Sequence, residues 1–470
     1  MCYLQMKVLL TVHQFFPDFA SGTEVLTRSV ARDLVRRGHT VQIFSGYPAD
    51  EALADAERFD EYDYEQIHVH RFKHSYTAMG DQQSLITLDY DNQLAAQHFA
   101  RIIEAFKPDV IHFFHLNRLG TGLIKAAVQA TVPATFTPTD FWAVCPTAQL
   151  VLADGRLCAG PSTFAGNCVK HFAETMDNSV IAGAIKWLPT PVVDTVVQLT
   201  LAKVMPLYPK RHEVSAMGQR LSSNVHRLNL LQKIFSPNPF MTELLVRYGV
   251  HADCILESSY GIDQPASPLH LPVPRHITAG RPVQIGFVGT LAPHKGCHIL
   301  IEAFKACIAA KEVNAELKIY GSPKHFPDYT QQLMQLAADQ PAIAFCGVFP
   351  NSEIAEIMEG IDILVVPSLW YENTPLVVYS AQAAGRPVIA SNLPGISIVV
   401  THDVNGLLFE TGNVDDLAGQ LRRAIAEPDL IARLGAACTP PKSTSEYVDE
   451  LLTVWEPNSQ AIAGSHLNQI

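Results

Sequence analysis

The sequence predicts an α/β protein made of two doubly wound, Rossmann-like domains, and three observations carry that reading. The chain has 470 residues, more than one hydrophobic core ordinarily serves, so two domains of roughly 200 residues are expected. Short, almost wholly apolar runs alternate with helical periodicity, the pattern of parallel strands covered on both faces by helices. That alternation runs twice, interrupted by an aperiodic, proline-rich stretch over 263–281 that reads as a linker.

In the first series Lys7-Val-Leu-Leu-Thr-Val12 predicts a buried strand. A small-residue turn at Ser21-Gly22-Thr23 follows, then a helix with Leu26, Val30 and Leu34 at four-residue spacing, stopped at Gly38. Further strands are expected at 40–44, 110–114, 134–137 and 233–236. The first domain is placed at 6–265, with an insertion of helices at about 150–232 whose cysteines, prolines and apolar stretches fit neither alternation. The second series has strands at 283–288, 317–320, 342–345, 363–366 and 387–390, giving a domain at 282–440. Residues 441–470 are expected to form a helix and tail that cross back to the first domain. Doubly wound sheets bind ligands at the carboxyl ends of their strands, so the site is expected in a cleft between the two domains.

Charge excludes one class of partner. Lys and Arg number 34 against 46 Asp and Glu, a net −12, whereas tracking a nucleic-acid backbone needs a positive footprint. Nine cysteines, an odd count without a regular framework, point to reduced thiols and a cytoplasmic setting. The first residues lack the charged start, apolar run and small-residue cleavage site of a secretory signal, and Met6 would serve as well as Met1 for a start. The most apolar segment, 180–207, is broken by Lys186, Asp194 and Lys203 and by Pro189, Pro191 and Pro206, so no membrane span is expected there.

Two loop–helix junctions carry the chemistry. At 367–391 the sequence reads strand end, polar loop, helix, strand, with Asn373 or Thr374 as the expected helix cap and Pro375 in its first turn. A helix opening at a strand's carboxyl end offers free N–H groups to phosphate. Glu372 immediately precedes them, and a carboxylate there suits a neutral polyol such as a sugar rather than the phosphate itself. The second junction is Gly289-Thr290-Leu-Ala-Pro-His-Lys295-Gly296, where Lys295 stands just before a helix expected to begin near His298 and can meet a diphosphate as a point charge. At Ser21-Gly22-Thr23-Glu24, lack of bulk permits close approach of a ligand to the backbone.

These residues, with Thr139-Asp140-Phe141-Trp142, Cys145-Pro146, Tyr260-Gly261-Ile262-Asp263 and Ala384-Gly385, resemble the retaining family-4 glycosyltransferases of the GT-B fold along nearly the whole chain. The resemblance implies hexosyl transfer from a nucleotide-sugar to a glycan, lipid-linked or other hydroxyl acceptor, as in bacterial-type surface polysaccharide or glycolipid synthesis, without a metal or other cofactor. It implies that Lys295 stabilises the departing diphosphate and that Glu372 binds hydroxyls of the donor sugar; Asp140 is a further catalytic candidate, read either as acting on acceptor or donor or as the cap of a local turn. Gly22, Gly289, Thr290, Asn373, Thr374, Pro375 and Ser380 would line the donor site. Three positions depart from the family pattern: Ser380 stands for a ribose-gripping Glu, Thr290 for an Arg, and Thr139 for a His. Each departure removes a charge or a strong hydrogen bond, roughly 1.5–3 kcal/mol. A non-catalytic member that binds nucleotide or glycan, and a nucleotide-sugar epimerase, are the competing readings.

Two features stay outside that scheme. Cys145, Cys158, Cys168 and His171 read either as buried free thiols or as a three-Cys, one-His zinc site lacking a compact knuckle. Trp187, Val192, Val193, Val196, Val197, Leu199 and Leu201 read either as packed core or as a peripheral contact with the inner face of a membrane.

Overall fold

The computed structural model describes residues 5–49, 53–176, 183, 185–263, 280–309, 314–427 and 429–456. The expected linker, except for its ends, and the tail beyond 456 lie outside the described residues. The chain divides into two compact units, one of Met1–Ser259 with Thr444–Ile470 and one of Tyr260–Ser443.

The first unit is built on eight strands: β1 (Lys7–Val12), β2 (Thr40–Pro48), β3 (Phe59–Tyr64), β4 (Ile67–His74), β5 (Val110–Phe113), β6 (Ala134–Phe136), β7 (Lys233–Ser236) and β8 (Ile255–Glu257). They lie in the order β3-β4-β2-β1-β5-β6-β7-β8. All neighbours are parallel except β3 and β4, which form an antiparallel hairpin at the edge. The hairpin escapes a reading by pattern because its turn residues, Glu65 and Gln66, take φ of 48° and 66° without any glycine. Strand β1 is buried from Val8 to Val12, as a central parallel strand must be.

The second unit has six parallel strands: β9 (Val283–Val288), β10 (Ala315–Tyr320), β11 (Ile343–Gly347), β12 (Ile363–Val366), β13 (Val388–Ser391) and β14 (Gly406–Phe409). Their order, β11-β10-β9-β12-β13-β14, reverses direction between β9 and β12. In the first unit the reversal falls between β1 and β5. Loops leaving the carboxyl ends of the two strands at a reversal part to opposite faces and leave a crevice, the usual ligand position in such sheets.

The segment at 150–232 is helical only in part: helices run over Gly166–Met176, Thr190–Leu201 and Arg211–Leu228, while 150–165 forms a loop. Val193 and Val197 are buried against Cys168, Val169 and Met217, whereas Trp187 is 81% exposed and Val192 and Leu199 are also exposed. The helix Thr444–Trp455 belongs to the first unit. Its Tyr447 hydroxyl meets Thr137 Oγ1 at 2.6 Å, its Trp455 Nε1 donates to Thr135 Oγ1 at 2.9 Å, and Asp449 pairs with Arg37.

Candidate functional site

In the second unit the sheet's reversal brings the Lys295 and Glu372 loops together. After β9 the chain makes one 3-10 turn, Pro293–Lys295, then passes Gly296 into the helix Cys297–Ile308. Gly296 has φ of 69°, and a Cβ there would lie 1.9 Å from the carbonyl oxygen of Pro367, the first residue after β12. No other residue allows the loops to abut so closely. The contact is tied by Leu369 N–H donating to His294 O at 2.8 Å.

Glu372 is buried, and three donors meet its Oε1: Lys295 Nζ at 2.7 Å, Ser368 Oγ at 2.6 Å and Trp370 Nε1 at 2.8 Å. Burial alone would raise its carboxyl, but the Lys295 charge and these hydrogen bonds outweigh it and hold Glu372 below the usual carboxylate range. Lys295 Nζ also lies 5.0 Å from the centroid of the Trp370 ring. Neighbouring His294, whose ring lies 4.2 Å from that of Trp370, is pushed down to about 4 by burial and the Lys295 charge. The site thus holds one fixed cation, one fixed anion and a neutral imidazole.

The helix after this loop starts later than expected, at Leu376, and runs to Ala383. Pro375 is its N-cap, and neither Asn373 nor Thr374 caps it. The Asn373 amide instead donates to Tyr260 Oη at 2.8 Å. Thr374 sits at φ of 64°, a costly conformation for a β-branched residue and one that clusters at functional sites. The Ser380 hydroxyl donates to Leu376 O at 3.2 Å, within its own helix. Gly289 and Thr290 lie in the β9 loop, where Gly289 N–H donates to Tyr320 O at 3.0 Å and Thr290 O accepts from Ala292 N–H at 2.8 Å.

The first unit carries its own cluster at the β1–β5 reversal. His13 follows β1, His115 lies just beyond β5, and their ring centroids are 4.2 Å apart. His115 Nδ1 accepts Asn117 N–H at 3.1 Å, which leaves Nε2 as the donor of the neutral ring, 2.7 Å from Asp140 Oδ2. Asp140 Oδ1 accepts Trp142 N–H at 2.8 Å. Thr139 turns away, donating to Phe114 O at 3.1 Å. The helix Gly22–Arg36 opens beside this cluster with Gly22 as its first residue and Glu24 in its first turn. Glu24 is fully buried, neither carboxylate oxygen closes a well-formed hydrogen bond, and His13 Nε2 stands 3.5 Å from Oε1. Burial raises the Glu24 carboxyl and lowers His13 well below the usual imidazole range.

His13 and His115 are absent from the sequence-level candidates, although each sits directly beyond the carboxyl end of a strand predicted from pattern. Strand-end position, read without a motif, was the available signal. Among the described residues, two other groups bring three donors within 4.8 Å of one another: Glu61, His68 and His70 on β3 and β4, and His251, Asp253 and Cys254. The first includes an ordinary cross-strand pair, with His70 Nδ1 2.8 Å from Glu61 Oε1.

Comparison with known proteins follows the same division. Residues 21–175 match a family model described as a glycosyl transferase 4-like domain, and residues 282–427 match glycosyl transferases group 1. An uncharacterized glycosyltransferase of Methanocaldococcus jannaschii is 30% identical over 141 residues, 30% of this chain and 35% of that protein. A D-inositol 3-phosphate glycosyltransferase of Corynebacterium glutamicum is 30% identical over 156 residues, 32% of this chain and 37% of that protein. The chain therefore spans little more than a third of the length of these relatives. Among solved structures, Anabaena HepE in complex with UDP and glucose superimposes with a TM-score of 0.57 at 16% identity, covering 98% of this chain and all of that one. A sucrose-phosphate synthase of Thermosynechococcus elongatus gives 0.55 at 17%, covering 98% and 99%.

Proposed function

Because the chain belongs to the family-4 glycosyltransferases of the GT-B fold, we propose that it transfers a sugar from a nucleotide-diphosphate donor to a hydroxyl acceptor with retention of anomeric configuration. The observation that carries this reading is the Lys295–Glu372 pair, 2.7 Å apart at the reversal of the second unit's sheet. A diphosphate entering there draws on the Lys295 charge as the glycosidic bond lengthens, while Glu372, already ionised, accepts hydrogen bonds from hydroxyls of the donor sugar. N–H groups opening the helix Leu376–Ala383 supply further donors to phosphate. No step is assigned to a metal ion, so a brief chelator treatment is expected to leave transfer intact.

In the first unit Asp140, oriented by His115, is the acceptor-side group of this reading. His115 brings to Asp140 the imidazole that Thr139 does not provide. The solvent-facing Trp187, Val204 and Leu207, set among Lys186, Lys203, Lys210 and Arg211, support contact with an anionic membrane surface and hence a lipid-linked acceptor. Among the described residues no helix is long and apolar enough to cross a membrane. The eight described cysteines are all free, in keeping with a reducing, cytoplasmic compartment.

Calorimetric titration with UDP, ADP and GDP and their glucose conjugates tests the donor site. One nucleotide series is expected to bind, with the loss of its diphosphate abolishing binding. Absence of binding across the panel would reject a nucleotide-sugar donor, whereas binding without turnover on any hydroxyl acceptor would favour a non-catalytic role.

A further inference from the structure

The loop after β6 is long, and its first half is buried. Between 137 and 165 the chain forms no helix or strand, only the isolated bridge Val151↔Leu157, a length at which unstructured loops are uncommon in compact domains. Phe141, Trp142, Ala143, Val144, Cys145 and Leu150 are nonetheless buried. Cys145, Cys158, Cys168 and His171 gather at this loop. Cys158 lies just past the bridge, and Cys168 and His171 stand three apart on the helix Gly166–Met176, so they share a face. With Asn167 they line a cavity of about 20 Å³, room for a single small occupant.

Two N–H groups are turned towards Cys158 Sγ, while burial pushes its thiol up. Gly160 N–H points at its Sγ from 3.4 Å and the Asn167 amide from 3.8 Å. As a thiol, Cys158 can donate to Gly160 O at 3.6 Å. The turn presenting the Gly160 N–H demands glycine: φ is 109°, and a Cβ would lie 2.1 Å from the Tyr248 hydroxyl oxygen. Asn167 binds the two sides of the loop together, accepting Ser162 N–H at 2.8 Å and donating to Gly160 O at 2.9 Å.

We propose that Cys145, Cys158, Cys168 and His171 form a structural zinc site that pins this loop to the helix Gly166–Met176. Three thiolates and an imidazole are a closed tetrahedral donor set of the kind zinc prefers, and two of the thiols, Cys145 and Cys168, are buried. The four donors surround the cavity more loosely than the two groups that converge within 4.8 Å. Zinc would draw the thiols inward by side-chain rotation, releasing their protons to solvent. Cys145 lies five residues beyond Asp140 in the same loop, so the ion would fix the backbone that carries the acceptor-side carboxylate. The site shares no residue with the sugar-transfer groups.

Full-length protein, purified with reductant and without chelator and freed of any affinity tag, decides the matter by elemental analysis. About one zinc per chain is expected, released by a mercurial thiol reagent and detected with a chromophoric chelator. Metal-depleted, reduced protein should take up cobalt with the intense near-ultraviolet absorption of thiolate-to-cobalt charge transfer. Cys158→Ser and Cys168→Ser should lower zinc content. His171→Cys should retain the metal while altering the cobalt spectrum, a change that a mere packing role would not produce. Protein that takes up neither zinc nor cobalt, a disulfide among the three cysteines by mass spectrometry, or full zinc content in the Cys158→Ser/Cys168→Ser double variant would each overturn the site.

Discussion

At Glu372 three donors share one carboxylate oxygen in a nearly solvent-free position, and only Lys295 among them carries charge. Removing that charge leaves a buried carboxylate without its counter-ion and a leaving diphosphate without its main partner. Lys295→Ala is therefore expected to lower transfer by roughly 10²-fold or more, with the change in kcat rather than in KM alone. Near-parental turnover would remove Lys295 from the mechanism. Glu24 poses the opposite case. Its carboxyl is raised by burial, so its contribution to stability is present below the unfolded value and is lost as pH rises through the folded one. Glu24→Gln should accordingly raise the melting temperature relative to the parent more at pH 8 than at pH 5. An equal shift at both pH values would show that Glu24 is ionised in the folded chain.

Two helices show how an element's place depends on distant partners. Leu376–Ala383 begins after Pro375 because Asn373 is committed to Tyr260 and Thr374 turns into the left-handed region. Neither side chain remains to cap it. The helix Thr444–Trp455 follows the second unit in sequence yet completes the first, where Tyr447 and Trp455 are buried and reach the threonines of the β6 region. Thr137 Oγ1 stands between the Tyr447 hydroxyl at 2.6 Å and His112 Nε2 at 3.1 Å. Tyr447→Phe is expected to cost about 1–2 kcal/mol, because a buried hydroxyl loses a partner while the apolar ring stays packed. Denaturant unfolding measures it; an unchanged midpoint would mean that packing alone holds this helix.

For the whole molecule, acid is the predictable weakness. His74 and His112 are both pushed down to about 3 by burial, and His112 Nδ1 and Nε2 are engaged by Thr135 and Thr137. A depressed folded value means that the unfolded chain binds protons first. The stability from each histidine is present above the ordinary value of 6.5 and drains away as pH falls towards 3. Each is expected to contribute a slope of about 1.4 kcal/mol per pH unit over that window. Unfolding free energies at pH 7, 5.5 and 4.5 should fall steeply, and His112→Gln should lessen the slope. A flat profile between pH 6.5 and 5 would contradict the burial of these rings as neutral groups.

Much of this protein is written locally. The double alternation of apolar strands and helices, the change of texture between the series and the motif residues at strand ends follow from periodicities of a few residues, and Lys7–Val12 and Val283–Val288 are found where pattern alone puts them. The β3–β4 hairpin was not legible, because its turn lacks the glycine that usually marks one. The late start of the helix at Leu376 was equally hidden, because Asn373 finds Tyr260, 113 positions away, rather than the adjacent backbone. Only tertiary structure decided which strands flank each reversal, and so which loops share a site. Lys295 and Glu372 are 77 positions apart, and His115 and Asp140 are 25 apart. A periodic pattern tells which face of an element is buried, but the order in which strands pair rests on the packing of the whole sheet, and that order turns separate loop residues into a reactive group.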